Sequence, residues 1–148
     1  ESSRFDIARA FGADAVLNVQ HMDPVPMILE KTEKQGADVV IDLSGSPRAI
    51  MQGFDLLRKD GRFCAIGIPG EPFPIDWQKL VLKAANIIFS YSSDYLSWER
   101  CLSMIENGNI KLKQFTNSVF KLSEWEKAFE TARSGQVLKV IICPDEFV

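Results

Sequence analysis

Apolar positions recur along the chain in two rhythms that take turns. The first residues read as a helix: Ser3 followed by Asp6 makes a capping pair, Ile7, Ala10 and Phe11 form an apolar stripe, and Gly12 stands where the helix should end. "ADAVLNV" at 13–19 then reads as a strand. A second helix is expected after Asp23, with Pro24 in its first turn, Met27 and Ile28 facing inward, and Gly36 as its stop. Next comes "ADVVIDLSGSP" at 37–47, in which 39–43 are apolar or nearly so before Ser-Gly-Ser-Pro breaks the run. The rhythm repeats once more. Ser46 caps, Pro47 starts, Ile50, Met51, Phe54 and Leu57 point one way, Gly61 ends, and "RFCAIGIPG" is the next strand.

After Gly70 the regularity loosens. "EPFPIDWQKLVLKAA" holds two prolines and a short helical stretch, and "NIIFSYSS" at 86–93 is another strand. A longer helix is expected from about Asp94, with Leu96, Cys101, Leu102 and Ile105 inward and its end at Asn107 and Gly108. Ser123 with Glu126 three residues on predicts a further helix start, with Trp125, Ala128, Phe129 and Ala132 buried and Gly135 as the stop. "VLKVIICP" closes the pattern as a strand. Strands separated by helices of this length join by right-handed crossovers into a parallel sheet, so the predicted class is α/β.

Composition narrows the function classes. A chain of 148 residues, 46% hydrophobic and 25% charged, is that of a globular protein with a core of its own. A net charge of −3 argues against a nucleic-acid groove, which is usually basic. No apolar run approaches the roughly 20 residues that cross a bilayer, and "ESSRFDIARA" has neither the basic start nor the apolar middle of a signal peptide, so the expected location is cytoplasmic, with no membrane partner. Cys64, Cys101 and Cys143 are far apart, odd in number and set among apolar residues, which predicts buried free thiols rather than disulfides or a metal site.

Candidate chemistry sits where strands end. In an open parallel sheet, ligands bind outside the carboxyl ends of the strands, where loops lead into helix N-termini with unpartnered N–H groups. Ser44, Gly45, Ser46 and Pro47 occupy such a place, as do 67–70 after the next strand and 90–93 after the one following. Glycine lets a ring or a phosphate approach the backbone, and small hydroxyls satisfy polar edges. Any one such loop is explained by turning and capping alone; three on consecutive strand ends point to a ligand.

These stretches resemble a known family. "SRFDIARAFGADAVLNV", "GADVVIDLSGSPRAIMQGFDLLRKDGRFCAIGIPG" and "FKLSEWEKAFETARSGQVLKVIICP" are similar to the C-terminal half of the medium-chain dehydrogenases, in particular the zinc-dependent polyol and threonine dehydrogenase branch. The resemblance implies a Rossmann-type parallel sheet with flanking helices that lacks its first two strands, with "ADAVLNV" as the third. It implies an incomplete NAD(P)-binding domain over 1–120 and a helix–strand appendage over 121–148. By the same resemblance Arg4 lies near the adenosine ribose, Ser44 and Gly45 on the adenosine side of the cofactor, and Ile66, Gly67 and Ile68 against the nicotinamide. Ser90, Tyr91 and Ser92 match the stretch that holds the carboxamide, and Lys139 matches a basic residue that reaches the pyrophosphate, where a cation is physically sensible. A homo-oligomer through the strand at 86–93 is also implied.

Departures from the family pattern matter as well. Its Gly-rich phosphate loop, its ribose-binding acid and its zinc ligands would precede residue 1, so zinc has no expected ligand in this chain. Phe89 stands where relatives often have glycine, and Asn117 and Ser118 replace a Thr-His pair. The expected function is the cofactor-binding portion of a larger enzyme, an NAD- or NADP-dependent zinc dehydrogenase acting on a small alcohol, with no catalytic group of its own and no activity alone. The residues by themselves leave open a non-enzymatic α/β binding or interaction module.

Overall fold

A computed structural model describes residues 2–110, 112, 115 and 118–147; the Ser3 side chain, hence its capping role, and Asn117 lie outside the described part. The chain divides into two compact units, one of Leu17–Ser92 and one of Glu1–Val16 with Ser93–Val148.

The unit Leu17–Ser92 is built on a parallel sheet of three strands, β1 (Ala37–Asp42), β2 (Leu57–Ala65) and β3 (Asn86–Phe89), in that order, with Ile41 beside Cys64 and Cys64 beside Ile88. Its helices are α2 (Pro24–Lys31), α3 (Pro47–Leu56) and α4 (Trp77–Leu82), the first helix of the chain, α1 (Ser2–Ala10), belonging to the other unit. α2 starts as expected: the Asp23 carboxylate accepts from the Val25 N–H at 3.0 Å, and Pro24 spends no donor in the first turn. The apolar stripe of α3 buries Ile50 and Phe54 against Phe63 of β2 and Leu80 of α4, with the Phe54 and Phe63 rings 4.6 Å apart. Val40 and Ile87 pack onto that core, whereas Val39 and Ile41 on the opposite face of β1 are 50% and 59% exposed.

Three local expectations are corrected here. α3 ends at Leu56 and not at Gly61, and Leu57 already belongs to β2. The cause is a clamp: Lys83 Nζ donates to the carbonyls of Phe54 (2.8 Å), Asp55 (2.9 Å) and Leu57 (2.5 Å), taking the acceptors that further helical turns would use. Ser46 does hold the N-cap position of α3 but makes no capping bond; its own N–H donates to Ser44 Oγ at 3.1 Å. Residues 13–19 form no strand. A strand exists only through a neighbour's donors and acceptors, and no described strand lies beside this segment. The Ala13 N–H instead closes α1 by donating to the Ala8 carbonyl, and the His21 and Met22 N–H groups turn back on Asn18.

The other unit holds α1 (Ser2–Ala10), α5 (Tyr95–Glu106), α6 (Trp125–Arg133) and a parallel pair, β4 (Ser118–Lys121) and β5 (Val140–Cys143). β4 was not foreseen; four residues, "SVFK", carry too little pattern. α5 is capped by Asp94, which accepts from the Ser97 N–H at 2.7 Å, but Leu96, Cys101 and Leu102 are exposed and not buried. α6 begins at Trp125, after a 3₁₀ turn Leu122–Glu124, so its N-cap position falls on Glu124 and Ser123 does not cap the helix; the Ser123 N–H donates to Asp145 Oδ1 (2.9 Å). Ala128 is fully buried, whereas Trp125, Phe129 and Ala132 are exposed. In α1 the half-buried residues are Phe5, Ile7 and Ala8, while Ala10 and Phe11 are exposed. In each case the apolar periodicity is real and its cover is missing, because a stripe is buried only where a second element meets it. Trp77 and Trp98, like Trp125, face solvent. The cysteines are free, and Cys101 is exposed while Cys64 and Cys143 are half-buried, so none is sequestered as expected.

Candidate functional site

Because β1, β2 and β3 are parallel, their carboxyl ends share one edge, and the three loops singled out from the sequence leave from it. What holds those loops is a residue that the sequence reading passed over as part of an apolar run. Asp42, the last residue of β1, is only 7% exposed. Its Oδ1 accepts from the Ser44 hydroxyl (2.7 Å) and the Ser44 N–H (3.2 Å), and its Oδ2 accepts from the Gly45 N–H (3.0 Å). Its main-chain carbonyl accepts from the N–H groups of Ile66 (2.9 Å) and Gly67 (3.0 Å). The signal was present, since an acid two residues ahead of Ser-Gly suits a turn in which the side chain bonds the backbone two residues on.

Two glycines are required by this junction. Gly45 has φ +64°, and a Cβ there would run into the carbonyl of Ile68. A Cβ on Gly67 would overlap the Gly45 nitrogen and lie 2.6 Å from Asp42 Oδ2. The two loops therefore touch backbone to backbone. The third is tied on by the Ser90 N–H, which donates to the Ala65 carbonyl at 3.0 Å.

Ile66, Gly67, Ile68, Ser90 and Tyr91 share the wall of a cavity of 310 Å³ lined mainly by apolar side chains, including Phe54, Phe63 and Phe73. Ile68 is 71% and Tyr91 85% exposed, so neither is a packed core residue. Ser92 follows with φ 63°, a left-handed conformation that turns the chain away from β3. Thus Ser44, Gly45, Ile66, Gly67, Ile68, Ser90, Tyr91 and Ser92 all lie on the loops of one sheet edge. Arg4 and Lys139 belong to the other unit. There the Arg4 guanidinium donates to the Gly135 carbonyl at 2.7 Å, just past α6, and Lys139 is exposed directly before β5. The sheet-edge loops offer apolar walls and main-chain groups. Among the described residues no group of three His, Cys, Asp or Glu is placed to hold a metal ion.

Comparison with known proteins adds the following. Residues 1–107 match the family described as zinc-binding dehydrogenase. A sorbitol dehydrogenase from Halalkalibacterium halodurans is 32% identical over 95% of this chain and 41% of its own length. An L-threonine 3-dehydrogenase from Bacillus subtilis is 34% identical, again over 95% of this chain and 41% of its own. Among solved structures, an alcohol dehydrogenase from Thermotoga maritima superposes with a TM-score of 0.89 at 29% identity, covering 97% of this chain and 41% of that one. The benzyl alcohol dehydrogenase of Acinetobacter calcoaceticus gives 0.85 at 27% identity with the same coverage. The chain thus spans 41% of the length of each of these relatives.

Proposed function

The chain belongs to the zinc-binding dehydrogenase family, and from that premise we propose that it forms the cofactor-binding portion of an NAD- or NADP-dependent dehydrogenase that oxidises a secondary alcohol by hydride transfer. The observation that carries this reading is the junction of the loops at one sheet edge, where Asp42 binds the Ser44–Gly45 turn and the Ile66–Gly67 backbone together while Ile66 and Ile68 stay exposed. Apolar side chains held out of the core at the carboxyl edge of a parallel sheet suit the flat face of a nicotinamide. A dinucleotide therefore fits the residues present: Ser44 and Gly45 on its adenosine side, Ile66, Gly67 and Ile68 against the nicotinamide, and main-chain groups at Ser90, Tyr91 and Ser92 for the carboxamide. The cofactor supplies the hydride acceptor; these residues orient it and keep water from one face.

Zinc does not fit the described residues, among which no three His, Cys, Asp or Glu are grouped to hold a metal ion. Residues 1–120 are assigned to the cofactor-binding domain and 121–148 to an appendage, which begins beyond the family match over 1–107. The names of the relatives point to a small hydroxyl-bearing substrate such as a polyol or hydroxy amino acid. Two copies pair through 86–93, supported by the position of β3 at the end of its sheet and by Phe89, which is 82% exposed. No helix among the described residues is long and apolar enough to cross a membrane, and three free cysteines suit the reducing cytoplasm.

The test is a titration of the full-length protein with NADH, NADPH and ADP-ribose. One reduced nucleotide should saturate the protein, and Ile68→Ser should weaken it more than ADP-ribose, which lacks the nicotinamide. Absence of saturable binding by both nucleotides overturns the reading.

A further inference from the structure

Asp42 has properties that a loop residue does not need. It is the buried charged residue among those described, and it ends an apolar strand where a carboxylate must be fully partnered to be tolerated. Its three side-chain bonds go forward, to Ser44 and Gly45, and its two carbonyl bonds go sideways, to Ile66 and Gly67. One residue thus holds the backbone of two loops that are far apart in sequence, and the side-chain-free contact of Gly67 with Gly45 leaves no slack between them.

We propose that Asp42 is a positioning residue that sets the spacing between the adenosine-side and nicotinamide-side walls of the dinucleotide site. This rests on the cofactor reading given above. A dinucleotide is one rigid demand on two loops: if they shift relative to each other, each half of the ligand still finds its wall, but both halves together do not. Asp42 touches no part of the ligand in this arrangement. It acts through the Gly45 and Gly67 main chain.

Asp42→Asn in the full-length protein isolates the effect. One of the two oxygens becomes an amide nitrogen, which turns a donor towards the N–H groups that the carboxylate accepted, at nearly unchanged volume. The expected result is that the Ser44–Gly45 turn, whose bonds to the side chain are altered, shifts against the Ile66–Gly67 backbone, whose bonds to the Asp42 carbonyl remain, so that NADH affinity falls about tenfold, the scale of one displaced hydrogen bond to a charged group, and falls more than the affinity for AMP, which needs only the adenosine side. A purely structural role would leave both affinities of the folded protein unchanged or lower them together. Gly67→Ala presses on the same contact from the other loop and should give the same split. Hydrogen exchange on the unmodified protein needs no variant: NADH should slow the Gly45 and Gly67 amides together. Equal NADH binding by a folded Asp42→Asn protein, equal loss of NADH and AMP, or NADH protection confined to one loop overturns the proposal while leaving the cofactor reading intact. Failure of the unmodified protein to bind NADH removes both.

Discussion

Lys83 fixes where α3 ends, and its chemistry can be followed through a single substitution. Its ammonium group serves three carbonyls at once, and next to it Lys79 pairs with Asp55. Replacing Lys83 with Met fills similar space but leaves those carbonyls without their donor. Lys83→Met should therefore cost about 1–3 kcal/mol, read as a lower urea midpoint at unchanged slope. Burial first, and then the charge of Lys79, lower the Lys83 pKa below its ordinary value of 10.5, against the opposing pull of Asp55. The folded protein thus releases this proton before the unfolded chain does. The cost of the charge is carried in full at neutral pH and eases as pH rises towards 10.5. Phe63 tests the core itself. It is 1% exposed and packed on Phe54, so Phe63→Ala should cost about 3–5 kcal/mol in the same measurement.

At the scale of elements, the caps are separable from the packing. Asp94 caps α5, and the Ser97 hydroxyl and N–H that bond it lower its pKa below 3.8. That contribution is present in full above 3.8 and is lost as pH falls through the lower folded value. Amide exchange at Ser97 should accordingly be slower in the native protein than in Asp94→Ala at neutral pH, and the two should converge in acid. Helices such as α3 were legible because the information is local: Pro47 opens it, and Ile50, Met51 and Phe54 repeat on one side. The segment 13–19 was not, since alternation shows that a strand is affordable but its ladder depends on residues elsewhere. For α5 the stripe of Leu96, Cys101 and Leu102 was visible, and what would cover it is not written in the stripe. The candidate loops were legible through their Gly, Ser and Pro content; Asp42 was hidden because its neighbours made it look like one more core position.

Two expectations belong to the whole molecule. As the cofactor-binding portion proposed above, the 148-residue chain alone should reduce no NAD or NADP with a polyol; any zinc-dependent rise in absorbance at the nicotinamide band from the purified chain contradicts this. The pairing proposed through 86–93 rests on apolar contact at a sheet border, so the full-length protein should sediment as a dimer and its Phe89→Lys variant as a monomer. A monomeric unmodified protein, or a variant with an unchanged sedimentation coefficient, removes the proposed pairing.

The outward placement of Trp77, Trp98 and Trp125 has a use in the spectrometer. With all three indoles more than half exposed, the emission should lie towards the red and yield to acrylamide, and unfolding should move it little. Light from this protein is a poor witness of its own folding. It is a sensitive one of company: whatever comes to rest against α4, α5 or α6 should draw the emission towards the blue.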